Sequence, residues 1–297
     1  MTLPPTYATP AGFLGLARGD ASADYVVAGV PLDLGTTNRA GARDGPQAIR
    51  RASRMLVDGA HPDWWVEPAR MSLADIGDFS LVLGDLAASL AEVERQAAPL
   101  AHLVALGGEH GITLPLLRAR RARVGVPLGL VHVDAHMDTW PDSFGQAYSH
   151  GNVFYHAIRE GLVDPARMIQ IGIRSPTDRA TWDWTLGQGA AIRSAQQVHA
   201  MGMDALIAEI RARLGTHPSY LSFDIDALDP AAAPGTGTPE MGGLHPWQAQ
   251  ALIRGLKPLR LVGADVVEVA PAYDHAEITA LAAATIAWEY LCLLGAR

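Results

Sequence analysis

Apolar residues fall in short runs along the chain, at 25–30, 102–106, 128–133, 168–173, 219–223 and 261–269. Each run is about five to nine residues long and rich in Val, Ile and Leu, the pattern of a strand covered on both faces. Stretches with helical periodicity lie between them, at 84–98, 204–214 and 246–255. Strands alternating with helices predict βαβ units, hence an α/β fold with a mostly parallel sheet sandwiched by helices. No Gly/Ser-rich or charged linker interrupts the alternation and no long repeat recurs. The chain therefore reads as a single domain over 1–297, with 1–24 an N-terminal extension of loop or interface character.

Polar clusters follow directly behind four of the runs. Val104-Ala105-Leu106 leads into Gly107-Gly108-Glu109-His110, and Val131-His132-Val133 into Asp134-Ala135-His136-Met137-Asp138. Ser222-Phe223 leads into Asp224-Ile225-Asp226, and the last run carries Glu268. In an open parallel sheet every strand's C-terminal end lies on one edge, where ligands bind, so distant residues can meet there. Asp134, His136 and Asp138, at alternate positions, share a face wherever the backbone stays extended. Six donors converge: His110, Asp134, His136, Asp138, Asp224 and Asp226. They are too many for one tetrahedral zinc, and thiolate is absent from the set. Oxygen-rich ligation with some imidazole suits manganese, with nickel or cobalt also compatible. Two divalent ions would balance four aspartates in charge and would supply an activated water. The clusters thus predict a two-metal hydrolytic centre.

Composition narrows the partners. Hydrophobic residues make up 49% and charged residues 18%, and the formal charge is −8. That sign argues against a nucleic-acid partner and suits a small cationic substrate. Pro4, Pro5 and Pro10 interrupt the N-terminus, no signal peptide is evident, and no unbroken apolar stretch reaches membrane-spanning length. A soluble, cytoplasmic protein without membrane contact is expected. Cys292, the only cysteine, lies in an apolar run and reads as a core residue in a reducing compartment. Simpler readings exist for each motif alone. Asp-Ile-Asp behind a strand is a turn with a helix cap, and GGEH a tight turn with a capping acid. His132 reads as packed in the core or hydrogen-bonded, and His61, His199, His245 and His275 as surface or structural. Three acidic or imidazole clusters at three strand ends are what a joint structural reading leaves unexplained.

GGEH, DAHMD, SFDIDALDP, PGTGTPEMGGL and DVVEVAP, in this order and spacing, resemble the ureohydrolase family, the arginases, agmatinases and their relatives. GVPLDLGTTNRAGARDGPQAIR, residues 29–50, is closer to the agmatinase and guanidinobutyrase branch than to the arginases. The resemblance implies a three-layer α/β/α sandwich around a mainly parallel sheet of about eight strands. It implies hydrolysis of a guanidino group to urea and an amine with two manganese ions. His110, Asp134, Asp138 and Asp224 match the ligands of one metal, and His136, Asp134, Asp224 and Asp226 those of the other. His150, in Ser-His-Gly-Asn, matches a histidine that shuttles protons or orients substrate. Glu268 matches the glutamate that pairs with the guanidinium, and Thr238 a threonine touching the same group. Asp138 or His150 would protonate the departing amine. Relatives of this kind are commonly trimers or hexamers, and Trp64-Trp65 would suit an interface.

The sequence departs from the family at several points. Glu109 stands where an aspartate is usual, and Gly111 where a small hydroxyl residue commonly follows. Asp44 and Ala40 replace an aromatic and a proline, and Gly12-Phe13-Leu14-Gly15-Leu16 lacks the arginine of the branch's FMRLP segment. Loop 139–148 contains Trp140, Phe144 and Tyr148, candidates for an aromatic wall against the substrate's tail, or for covering the sheet edge or a subunit interface. That loop has no Arg or Lys to grip a carboxylate, which favours an amine-tailed or neutral-tailed guanidine compound, such as agmatine, over guanidino acids. PGTGTPEMGGL looks more like guanidinobutyrase and guanidinopropionase sequences, and Arg39, Arg43 or Arg174 could supply positive charge. The alternatives are hydrolysis of another small guanidine or biguanide, a single-zinc deacetylase-like amidohydrolase, and a silent subunit of a mixed oligomer.

Overall fold

A computed structural model describes residues 12–297. Eight strands form one sheet among the described residues: β1 Tyr25–Val30, β2 Leu73–Asp78, β3 Leu103–Gly107, β4 Leu128–Val133, β5 Val163–Ile173, β6 Ala191–Ser194, β7 Ser219–Asp224 and β8 Leu261–Val267. Their spatial order is β2-β1-β3-β8-β7-β4-β5-β6, and every pairing is parallel. The six predicted strands are all present. Those added, β2 and β6, are the edges, where half-exposed LADIGD and AIRS lack a continuous apolar run.

Nine α-helices accompany the strands among the described residues: α1 Gly45–Ala52, α2 Leu86–Ala97, α3 Thr113–Val124, α4 Val153–Arg159, α5 Arg179–Gly187, α6 Ala195–Met201, α7 Met203–Leu214, α8 Pro246–Gly255 and α9 Ile278–Gly295. Strand residues alternate between the sheet's two faces. Val27, Val104, Val131, Ile169 and Leu221 pack with Ile49 of α1, Val198 of α6, Leu206 of α7, Leu252 of α8 and Ala283 of α9. Val26, Ala105, Leu130, Met168 and Tyr220 pack with Val93 of α2, Leu117 of α3 and Phe154 of α4. Two helical layers thus enclose the sheet, a three-layer α/β/α sandwich, which explains why β4 is buried at all six positions.

Helix α9 adds to one expectation, since Glu289 is the only charge that breaks its apolar run. Its 18 residues, of mean hydropathy 1.6, are long and apolar enough to cross a membrane by length and composition. The sequence reading missed it because Glu289 interrupts the run. In the fold 72% of that window is buried, and Glu289 accepts from Arg254 while 3.1 Å from His61.

Residues 1–11 of the N-terminal extension lie outside the described residues. Of the rest, Phe13 and Leu14 dock on this chain's own core, while most of 17–24 is exposed. Phe13 is fully buried, and its N–H donates to Asp75 at 2.7 Å, the carboxylate that also receives Arg50. The Trp64-Trp65 pair divides. Trp64 stacks on His61 at 4.4 Å, whereas Trp65 is 80% exposed.

Candidate metal and active site

The four strands that carry the polar clusters are neighbours, in the order β3-β8-β7-β4. Their C-terminal ends are therefore adjacent, and the chain folds its chemistry into one place. Gly108 must be glycine there, because a Cβ would lie 2.3 Å from the Val30 carbonyl oxygen.

His110 supplies the first group of donors. Its Nδ1 lies 2.9 Å from Asp138 Oδ2 and 3.2 Å from both Asp134 Oδ2 and Asp224 Oδ2. This nitrogen is buried and has no hydrogen-bond partner, so the three oxygens surround it without satisfying it. Nε2 is 2.8 Å from Ser222 Oγ, and the Ser222 hydroxyl donates to Asp265 Oδ1 at 2.7 Å. The hydroxyl proton is committed to Asp265, so Ser222 receives the Nε2 proton and Nδ1 is the nitrogen turned toward a cation. Burial opposes charge on this ring, yet Asp134, Asp138 and Asp224 raise its pKa well above the usual value. Thr113 Oγ1 donates to the other Asp265 oxygen at 2.8 Å.

The second group is His136 Nδ1, 3.0 Å from Asp226 Oδ2 and 3.3 Å from Asp134 Oδ1. Asp134 thus turns one oxygen to each group, and His136 N–H donates to its Oδ1 at 2.6 Å. Ligands about 2.1 Å from one ion at right angles stand roughly 3 Å apart, the spacing found in both groups. His110, Asp134 and Asp138, with His132 beside them, could hold one divalent cation and Asp134, His136 and Asp226 another, and the oxygen-rich donors fit such ions. Electrostatics point the same way. Burial, with Asp226 and Asp134 beside it, pushes Asp224 well above the carboxylate range, and burial raises Asp226 too. Burial opposes charge on His136, yet Asp226 and Asp134 push its pKa up to about 12. Among protein groups alone, protons do the neutralising that a cation would take over.

Glu268 closes the site from β8. Its Oε1 accepts from the His110 backbone N–H at 2.8 Å and faces His150 Nδ1 at 2.9 Å, while Oε2 is buried with no hydrogen-bond partner. The other His150 nitrogen, Nε2, receives the Thr37 N–H at 3.1 Å and lies 2.7 Å from Thr37 Oγ1. Burial opposes charge on His150, but Glu268, Glu109 and Asp138 push its pKa up to about 9. Thr238 Oγ1 donates to Asp226 Oδ2 at 3.2 Å. Asp138 and Glu268 both sit in the left-handed backbone region, with φ of 51° and 65°. Such strain concentrates where a side chain must be aimed.

A cavity of about 690 Å³ opens over these groups, lined among others by His136, Asp138, His150, Trp140, Asp142 and Glu240. Trp140 is on its wall, with Nε1 donating to Asp178 at 3.2 Å. The aromatic wall is corrected at Tyr148 alone, since Phe144 also lines the cavity. Phe144 stands at the rim, 92% exposed, and Tyr148 turns away to pack beside His156 and the Arg118 guanidinium. Arg174 is not available to a ligand, because its guanidinium is spent on carbonyls that include Gly172, Asp226 and Glu240. Arg43 is absent from this wall, while Arg39 is on it.

Sequence reasoning named all six donors and missed most of the layer behind them. His132 Nε2 lies 2.7 Å from Asp134 Oδ2, and Gln170 and Phe154 hold its ring. The expectation of a hydrogen-bonded core histidine holds, and strand parity tells which partner: His132 is two residues before Asp134. The same parity sets Ser222 behind Asp224. Asp265 gave no such signal, being read as part of an apolar strand.

Residues 23–292 match the arginase family. The chain is 46% identical to an agmatinase of Chromobacterium violaceum over 296 residues, covering 96% of this chain and 90% of that protein. Among solved structures, a hypothetical agmatinase from Burkholderia thailandensis is 44% identical, with a TM-score of 0.91 and coverage of 97% and 92%. Proclavaminate amidino hydrolase from Streptomyces clavuligerus is 38% identical, with a TM-score of 0.93 and coverage of 99% of each chain. With its strand order, its donor groups and a match over nearly its whole length, the chain belongs to the arginase family.

Proposed function

We propose that this protein hydrolyses an amine-tailed guanidino compound, agmatine in the first instance, to urea and an amine, using two divalent cations. Its family makes it a metal-dependent hydrolase of guanidino compounds. One observation carries the two-metal reading: Asp134 turns its two oxygens to two separate imidazole nitrogens, the first of them buried and unpartnered.

His110, Asp134, Asp138 and Asp224 would hold one ion, and His136, Asp134, Asp224 and Asp226 the other. Bound there, the ions supply Lewis acidity and an activated water at neutral pH. The chain's own groups do the rest. Glu268 Oε2, a buried acceptor without a donor, suits a guanidinium N–H. His150 orients Glu268 through Nδ1 and reaches the cavity through the Thr37 hydroxyl, a route by which a proton can pass to the departing amine. Asp138, on the cavity wall, offers a second proton carrier. Trp140 would pack the methylenes of the tail.

Tail choice rests on charge. Asp142 and Glu240 are acidic walls, and Arg39 is the only arginine beside them among the described lining residues. The agmatinase relatives support the same tail. Manganese is the expected ion, a homotrimer or homohexamer the expected assembly, one domain the expected organisation and the cytoplasm the expected location. The intact donor set disfavours a silent subunit, and two donor groups disfavour a single-zinc deacetylase.

The test is urea release by the purified chain, loaded separately with manganese and nickel, against agmatine, 4-guanidinobutyrate, 3-guanidinopropionate and arginine. Agmatine should be the best substrate, and Asp226→Ala should lose at least about a hundredfold in rate with one ion per chain removed. No urea together with no bound metal sinks the proposal, while turnover of guanidinobutyrate alone would overturn the amine tail.

A further inference from the structure

Glu109 lies within the site without touching the cavity. It is fully buried, and Oε1 accepts from the Gly35 N–H at 2.8 Å while Oε2 accepts from the Gly111 N–H at 3.2 Å. The second bond is the capping role expected of GGEH. The first is not local, since Gly35 is 74 residues away in the 33–41 loop.

That loop is what holds His150. The Gly35 carbonyl accepts from the His150 backbone N–H at 3.3 Å, and Thr37 donates its N–H to the ring nitrogen Nε2 at 3.1 Å. The Thr37 bond requires a lone pair on Nε2, so in the neutral ring the proton sits on Nδ1 toward Glu268. The loop therefore sets the position of the imidazole and, in its neutral form, the tautomer. The loop is also tied to itself, Asp33 accepting from Thr36 Oγ1 and the Gly41 N–H, and to the Gly237 carbonyl through Asn38 at 2.9 Å. At Gly35 the tie from outside the loop is Glu109.

The fit is close. A Cβ on Gly35 would lie 2.9 Å from Glu109 Oε1, and one on Gly111 would lie 2.8 Å from Oε2. The two departures noted in the sequence, glutamate for the usual aspartate and glycine for a small hydroxyl residue, are thus one feature. The longer acid occupies the space a side chain at 111 would need, and its extra methylene gives it the reach to Gly35.

We propose that Glu109 is a positioning residue for His150, acting through the Gly35–Thr37 segment. The inference rests on the hydrolase reading of the site, in which His150 orients Glu268. Reach matters here more than charge, so the conservative replacements should rank in an unexpected order. Glu109→Gln keeps an oxygen for Gly35, whereas Glu109→Asp keeps the charge and withdraws from it.

With the manganese-loaded enzyme, Glu109→Gln should retain kcat within about threefold. Glu109→Asp should lose about tenfold or more, because small displacements of an orienting group are costly. Metal content should equal that of the parent in both. Combined with His150→Asn, the Asp substitution should cost less than about twofold further, since the residue it acts through is gone. An Asp variant as active as the parent, a Gln variant worse than Asp, losses that multiply in the double variant, or loss of metal would each overturn the proposal. A parent enzyme silent on every guanidine would sink the hydrolase reading instead. The crystal structure of Glu109→Asp then still decides: Thr37 N–H withdrawn from His150 Nε2 supports the proposal, and an unmoved loop refutes it.

Discussion

Asp265→Asn tests how the layer behind the site sets metal affinity. Asp265 is fully buried in β8 and accepts from two hydroxyls, Ser222 at 2.7 Å and Thr113 at 2.8 Å. Ser222 in turn receives the Nε2 proton of His110. A negative charge at the end of this relay makes Nδ1 a better donor to a cation. The Asn oxygen can still accept from Ser222 while its amide donates to Thr113 Oγ1, reversing that bond, so the side chain keeps its shape and its two partners and loses its charge. A hydrogen bond to a charged group is worth about 1.5–3 kcal/mol and a neutral one about 0.5–1.5, a difference of about 1–1.5 kcal/mol. That corresponds to roughly tenfold in affinity. Only the ion on the His110 group should weaken. Burial pushes the Asp265 pKa up, so a neutral residue there should leave metal-free stability intact or improved. Chelator competition at fixed pH, read as two successive binding events, measures the effect. Ser222→Ala should cut the same relay, and the double variant should be no worse than either alone. Unchanged affinity in folded Asp265→Asn, or losses that add in the double variant, refute the relay.

Two further perturbations concern the fold. Arg50 is bonded twice to buried Asp75, at 2.7 and 3.0 Å, and also to Asp78, so Arg50→Met should destabilise by about 3–5 kcal/mol by leaving Asp75 uncompensated. Equilibrium unfolding measures it, and a cost under about 1 kcal/mol contradicts it. His102 is half-buried, and its pKa is pushed down to about 3 because desolvation disfavours its charge and Arg120 and Arg297 repel it. The unfolded chain takes up this proton near pH 6.5, so the His102 contribution is fully present above about 6.5. It falls by about 1.4 kcal/mol per unit as pH drops toward 3. His102→Gln should remove one proton from that slope, and an unchanged pH dependence of unfolding free energy would count against the assignment.

What the sequence made legible follows from physical continuity. The six inner strands are largely buried on both faces, so their runs stay mainly apolar despite single polar residues such as His132 and Asp265, whereas β2 and β6 are edges whose exposed residues dilute the pattern. The donors were legible because parallel strands deliver their ends to one edge, and the four that matter are contiguous. The plain and chemical readings of a motif also turn out to be compatible. Asp224 caps the turn after β7 by accepting from the Asp226 N–H, and Glu109 caps the turn after β3. Aromatic orientation was not legible, as Tyr148 shows, because a loop's turns decide which way each ring points and periodicity is silent about them. The reach of Glu109 to Gly35 was hidden for a related reason: a contact across 74 residues leaves no local signature.

The left-handed backbone at Asp138 sets heat resistance and chemistry against each other. An L side chain in that region costs about 1–2 kcal/mol, which a residue without a Cβ does not incur. Laboratory evolution that selects only for melting temperature should therefore drift toward glycine at 138, whereas Glu268, equally left-handed, is held by the buried His110 N–H and His150 that bond to it. Selection that alternates survival of heat with turnover should keep the Asp138 carboxylate and find its stabilising changes elsewhere, in the helical layers and the edge strands.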